Sequence, residues 1–167
     1  QELWNMAETQ INDVPLRRLV MTILDRQKGP LKRLPGSQKH FYPFSGGLLE
    51  HILSVTHTCL HLADKYIAHY PDLEPGINVD LVLAGAMLHD IGRTLEFTDD
   101  VANVQQTVQG KLVGHLFLGR DLVRDRAREL GEVNPELVQL LEHIIVTHLN
   151  LPEWGSPKLP LIPECLI

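Results

Sequence analysis

Leu81-Val-Leu-Ala-Gly-Ala-Met-Leu-His89-Asp90-Ile-Gly92 is the stretch that decides the fold. Its first eight residues are all apolar or small. A helix built from them has no polar face, so it belongs at the centre of a helical bundle rather than on its surface. The pattern then breaks at an imidazole and a carboxylate. Successive residues on a helix point about 100° apart, so His89 and Asp90 can serve one site only where the helix ends, and Gly92 is expected to end it. An ionised carboxylate at the buried end of an apolar helix needs a strong partner, and a divalent cation is the obvious one. The plainer alternative is a surface Asp beside a core His.

Working outward, the chain reads as helix almost throughout, and the fold class is all-α. Asn12 or Asp13 can cap a helix that has Pro15 in its first turn and Leu16, Leu19, Val20, Ile23 and Leu24 as its apolar stripe. Residues 27–47 carry four glycines and three prolines, a composition that predicts a long ordered loop. A long helix is expected from Leu48 to Tyr70, and Asn78 caps the central helix from Val79. The alternation in Val101–Val108 suggests a short hairpin. Further helices are expected from Val113 to Leu130, stopped by Gly131, and from Asn134-Pro135 to about His148. A tail rich in proline follows. Nothing marks an internal boundary, so residues 1–167 are read as one helical domain of about five to seven helices.

With 44% apolar residues but only 5% aromatic, the core is packed from Leu, Val and Ile. The formal net charge of −6 argues against a protein that coats nucleic acid non-specifically. Seven of the 15 Lys and Arg nevertheless fall between Arg17 and Lys39, where Asp25 is the only acid. That segment is either a solvated surface or a patch for phosphates. Cys59 and Cys165 form no disulfide framework, no apolar run approaches 18 residues, and the start lacks signal-peptide architecture, so a reducing, cytoplasmic setting without a membrane is expected. The chain opens without a Met and stops within an apolar run, and both ends are read as cut.

Further imidazoles gather around His89-Asp90. His51 follows Gly46-Gly47, whose missing side chains allow close backbone approach. By the 100° rule it faces a different way from His57 and His61, which lack the Glu of a His-Glu-x-x-His site and are read as structural or exposed. His69 is expected to face solvent. His115 follows Gly114 at a helix start. His143 and His148 are five apart, about 140° round, and reach one site only if the helix breaks between them. Each alone is equally an ordinary polar residue. Together with His51, His89 and Asp90 they suffice for one or two metal ions bridged by Asp90.

On these residues the sequence resembles the HD-domain metal-dependent phosphohydrolase superfamily, whose His…His-Asp pattern is matched by His51, His89 and Asp90. It is most similar to the HD domain of YhaM-type 3′→5′ exoribonucleases. Further matching segments are Gly46-Gly-Leu-Leu-Glu-His51, Glu96, Gly110-Lys-Leu-Val-Gly-His115, His143-Ile-Ile-Val-Thr-His148 and Glu153-Trp-Gly-Ser-Pro-Lys158. The resemblance implies metal-activated water attacking a phosphodiester at the 3′ end of single-stranded RNA or DNA. It implies first ligands His51, His89 and Asp90, a second site completed by His115 and His148, and His143 as a further candidate. Asp90 and Arg93 are the expected catalytic residues. Arg93 stands where the pattern has lysine, and its guanidinium can clamp phosphate oxygens with two bonds. Lys39, His40 and Arg93 are the expected substrate contacts. The native ion is left among Mn, Fe, Co, Ni, Zn and Mg.

The resemblance also ends in a distal Asp ligand, whereas no Asp follows Asp125 here, and it carries an N-terminal OB-fold of which this chain shows none. His148-Leu149-Asn150 replaces the usual His-His-Gly. Two other functions fit the same residues: hydrolysis of free nucleotides, and a non-catalytic HD module in a larger relaxase-like nucleic-acid-processing protein. A homo-oligomer is compatible with either.

Overall fold

The structure is a computed structural model that describes residues 1–37, 39–98 and 103–167. In chain order the helices are α1 (Glu2–Gln10), α2 (Val14–Arg26), α3 (Lys28–Arg33), α4 (Gly47–His69), α5 (Val79–Leu88), α6 (Arg93–Glu96), α7 (Val108–Leu112), α8 (His115–Leu130) and α9 (Pro135–Thr147). Two 3-10 turns, Pro152–Trp154 and Pro163–Leu166, shape the tail. The fold is all-α. Among the described residues α1, α2, α4, α5, α8 and α9 form the bundle, and the other three are short connecting helices of four to six residues.

Central α5 packs against α4, α9, α2 and α1. Every residue from Leu81 to Leu88 is buried. Each of its large apolar side chains contributes about 1.5–3 kcal/mol by leaving water, which fixes the axis around which the rest is arranged. The capping signals act as their chemistry dictates. The side chains of Asp13, Asn78 and Asn134 accept hydrogen bonds from the amides of Leu16, Leu81 and Glu136, satisfying donors that the first helical turn leaves unpaired. The α2 stripe from Leu16 to Leu24 is fully buried.

Several expectations are corrected. The segment 27–47 is not loop throughout. In α3, Pro30 falls in the first turn, where a missing N–H costs nothing, and Leu31 anchors the helix in the core. Helix α1 precedes the earliest capping signal in the sequence. It is held by the buried Leu3, Trp4, Met6 and Ala7 and by a bond from the Trp4 indole to Asp25. Of the expected hairpin, Val101 and Ala102 lie outside the described residues. Phe97 and Gln106 form a single antiparallel bridge, and Val108 already opens α7.

Gly92 does not end α5 through an unusual backbone conformation, since its φ of −62° and ψ of −19° are helical. It is required because a Cβ there would lie 2.0 Å from the carbonyl oxygen of His115 and 2.5 Å from the amide nitrogen of Gly119. The turn after α5 therefore seats directly on the start of α8. Gly47 does the same at the start of α4, where a Cβ would meet the Tyr42 carbonyl oxygen at 2.1 Å.

The basic segment 17–39 is largely committed to internal partners. Arg17 bonds the Ile11 carbonyl, Arg18 pairs with Glu132, Arg26 pairs with Glu129, and Lys28 lies over the Trp4 ring. No helix among the described residues is long and apolar enough to cross a membrane.

Candidate metal centre

Four histidines from four elements converge on Asp90. His51 comes from the second turn of α4, His89 from the C-terminal cap of α5, His115 from the first residue of α8, and His148 from the cap of α9. Each is placed by a helix end or by a first or second turn, where side chains of different helices can meet without a backbone clash.

The carboxylate divides them into pairs. Asp90 Oδ2 lies 3.5 Å from His51 Nε2 and 3.7 Å from His89 Nε2, and these two nitrogens are 3.1 Å apart. Asp90 Oδ1 lies 3.5 Å from His115 Nε2 and 3.6 Å from His148 Nε2. In each set of three residues, one donor atom from each lies within 4.8 Å of the others. Donors about 2.1 Å from a shared ion stand roughly 3.0–3.4 Å apart, so modest tightening brings either set onto one cation.

Hydrogen bonding prepares the nitrogens for that task. His89 Nδ1–H donates to the Ala86 carbonyl and His148 Nδ1–H to the Ile145 carbonyl, both at 2.8 Å, which leaves Nε2 of each ring as a bare lone pair facing Asp90. Asp90 Oδ1 and His115 Nε2 are buried without a hydrogen-bond partner. Leaving such atoms unsatisfied costs about 1–3 kcal/mol each, a cost that a cation between them removes. The donor set, mixed imidazole and carboxylate, suits Mn, Fe, Co, Ni or Zn.

Charge agrees with geometry. Burial pushes the His89 pKa down to about 4, against the pull of Asp90, so the ring is neutral at physiological pH and able to ligate. Burial also lowers His51. Burial alone would raise Asp90, but His89, His148 and Arg93 outweigh it and hold the carboxyl well below its ordinary range. Arg93 Nε lies 2.8 Å from Asp90 Oδ2 as an ion pair, and its Nη1 lies 3.3 Å from Glu96 Oε2.

The remaining sequence candidates separate. His143 is not part of the cluster. Its Nε2 accepts the Leu161 amide at 3.0 Å, because α9 runs unbroken to Thr147 and only one of two histidines five apart can face Asp90. Lys39 and His40 are exposed and do not line the cleft above the centre. Their neighbour Phe41 does, with its ring 5.1 Å from that of His51 and the Arg93 guanidinium 5.6 Å from its centroid. His57 is exposed and bonded to Glu2, and His61 and His69 are exposed.

Sequence reasoning passed over Phe41 and gave Glu96 no role. The signal for Glu96 was its place three residues after Arg93. The cleft has a volume of about 800 Å³, and its lining includes the apolar Leu149, Leu151, Leu159 and Leu166.

The family profile described as HD domain matches residues 48–167. The 3'-5' exoribonuclease YhaM of Listeria monocytogenes serotype 4b is 31% identical over 158 residues, covering 95% of this chain and 47% of that protein. The YhaM of Bacillus pumilus is 32% identical over 152 residues, 91% of this chain and 45% of its own length. That of Bacillus licheniformis is 35% identical over 133 residues, 80% and 39% respectively. The chain thus spans about half the length of the curated relatives it matches, or less. No solved structure matches it.

Proposed function

The chain belongs to the HD-domain family, and from that premise we propose that it is a metal-dependent phosphohydrolase cleaving nucleotides from the 3′ ends of single-stranded RNA or DNA. The observation that carries this reading is one buried carboxylate presenting each of its oxygens to a separate pair of imidazoles at the base of a cleft. Two adjacent cation sites sharing a carboxylate suit phosphodiester chemistry, in which both the attacking and the leaving oxygen carry charge.

His51, His89 and Asp90 would hold one ion, and Asp90, His115 and His148 a second. A divalent cation there supplies Lewis acidity to phosphoryl oxygens and a more acidic water near neutral pH. Arg93, anchored on Asp90 and Glu96, keeps a guanidinium beside the phosphate position for charge-assisted bonds to its oxygens. Phe41 offers a ring face at the mouth of the cleft, 37% exposed, on which a nucleobase can stack. Leu149, Leu151 and Leu159 in the lining of the same cleft offer apolar contact to the bases.

The test uses 5′-labelled single-stranded RNA and DNA oligonucleotides with Mn2+, run beside free mononucleotides. Stepwise shortening from the 3′ end with release of nucleoside monophosphates is expected. Dephosphorylation of mononucleotides with intact oligonucleotides would replace this reading by that of a nucleotide phosphohydrolase.

A further inference from the structure

Three of the four histidines are alike in one respect and His115 is not. His89 and His148 fix their ring orientation by donating Nδ1–H to the carbonyl three residues back on their own helix. His51 is wedged by aromatic rings, Phe41 at 5.1 Å and Tyr42 at 5.5 Å between centroids. His115 has no such carbonyl bond, and its ring neighbour is another imidazole, His148, at 5.8 Å between centroids. It is the first residue of α8, and Gly114 before it, with φ 78° and ψ 158°, takes the preceding chain off the helical path. No carbonyl three residues back therefore lies beneath its ring to accept Nδ1–H. Among the described residues the carboxylate oxygen facing His115 Nδ1 is Glu96 Oε2, at an ion-pair distance of 3.5 Å.

Glu96 is itself an unusual residue to find in this position. It is a buried carboxylate, 6% exposed, at the end of a four-residue helix that could not hold it in place alone. The chain secures it from both sides. Its backbone carbonyl accepts from the amide and hydroxyl of Thr107, at 2.9 and 3.2 Å, and Gln106 Nε2 donates to Oε1 at 3.4 Å. Arg93 Nη1 faces the same Oε2 that faces His115.

We infer that Glu96 is the positioning residue of the His115/His148 half of the centre: it holds His115 in the Nδ1–H tautomer, so that the Nε2 lone pair is turned toward Asp90 Oδ1. The carboxylate makes no approach to the cation position itself and acts through the imidazole. This rests on the metal-centre reading above and adds a dependence particular to one half. The His51/His89 half meets Glu96 only indirectly, through Arg93, whose Nη1 bonds Glu96 Oε2 and whose Nε lies 2.8 Å from Asp90 Oδ2, so its dependence on Glu96 is the weaker one.

The experiment compares wild type, Glu96→Gln and Glu96→Asp in two measurements. The first is ring 15N NMR of the metal-free protein at pH 8. His115 is expected to be the Nδ1–H tautomer in wild type and to move toward a mixture in Glu96→Gln, while His89 and His148 stay unchanged. The second is titration of metal-free protein with Mn2+. Wild type is expected to take two ions. Glu96→Gln should bind one with affinity within about twofold of wild type and the other about 10–100-fold more weakly, the usual range for losing an outer carboxylate partner of a metal-bound histidine. Glu96→Asp should recover part of the loss. Equal weakening of both ions, or no weakening, overturns the inference, as does an Nε2–H tautomer in wild type. Failure of wild type to bind any Mn2+ overturns the metal-centre reading instead, and the tautomer result then decides the role of Glu96 alone.

Discussion

Replacing Gly92 by alanine sets two effects of opposite sign against each other. The backbone at Gly92 is ordinary right-handed helix, so alanine fits its dihedrals and, by restricting the unfolded chain, would stabilise the protein by about 0.4–1 kcal/mol. The surroundings reverse that sign. The new Cβ would stand 2.0 Å from the His115 carbonyl oxygen and 2.5 Å from the Gly119 amide nitrogen. Both atoms are backbone, so no side chain can rotate out of the way. Restoring a separation of about 3.5 Å means moving α8 by roughly 1.5 Å relative to the turn carrying Asp90. Overpacking of a filled interior costs about 1–3 kcal/mol, and backbone contact belongs at the upper end, so a net loss of about 2 kcal/mol is expected. The displaced residue is His115, and a misplacement of this size at a reacting centre lowers turnover by about 100-fold. Urea unfolding of the metal-free variant, followed by Mn2+ titration and oligonucleotide turnover, measures all three. An unchanged or raised midpoint with two ions bound would refute the argument that α8 seats on Gly92.

Four further outcomes follow from the same geometry. Asp90→Asn should lose both Mn2+ ions together in a titration, because each pair of histidines depends on one of its oxygens; retention of either ion would show that the carboxylate is not shared. His143→Ala should keep both ions, since its ring is occupied by the Leu161 amide, and loss of one would return it to the ligand set. The metal-free protein should lose at least about 2 kcal/mol of stability between pH 7.5 and pH 5 in urea unfolding, about 2 from His89 and more from His51 and His143, whose pKa values burial also lowers. The His89 pKa is about 4 in the native state against 6.5 when unfolded, so below pH 6.5 the unfolded chain binds a proton that the native state refuses, while the depressed Asp90 contributes a change only below about pH 4; a flat profile contradicts a buried neutral His89. Phe41→Ala should lower kcat/KM on an oligonucleotide at least about fivefold by removing a stacking surface, whereas Lys39→Ala and His40→Ala should change it less than about twofold, and the reverse ranking would restore the loop cations as substrate contacts.

What was legible in the sequence was whatever a few adjacent residues determine. Asp13, Asn78 and Asn134 cap helices through bonds to amides two or three residues on, so their role is visible without tertiary structure. The centrality of α5 follows from its lack of a polar face. The convergence of His51 with His89 and Asp90 was visible only as a suspicion of composition plus a family resemblance, because the angle between α4 and α5 is set by packing. The choice between His143 and His148 depends on the rotation of α9 about its own axis, which no spacing encodes. Helices of five or six residues such as α7 and α3 are too short to be stable alone and take their conformation from what they touch, so a Gly- and Pro-rich segment gave no notice of α3. The loop after α3 was read for its charges, yet it delivers Phe41 to the cleft and leaves Lys39 and His40 in solvent.

The fate of the cations elsewhere bears on how a polyanion is drawn to this cleft. At the centre two carboxylates, Asp90 and Glu96, face one guanidinium, Arg93, in a chain that is itself negative. The residues that looked like a phosphate patch in the sequence are mostly spent on the Ile11 carbonyl, Glu132, Glu129 and the Trp4 ring. Without a cation the two carboxylates oppose a phosphodiester there, and Arg93 is already paired with both. Divalent charge held on Asp90 would change the sign of the local field, and on the proposed function substrate affinity would then follow ion occupancy rather than surface charge. By the same reasoning a defect in the His115/His148 half, whether introduced at Gly92 or at Glu96, should weaken binding of the oligonucleotide as well as its hydrolysis, if the proposed function holds.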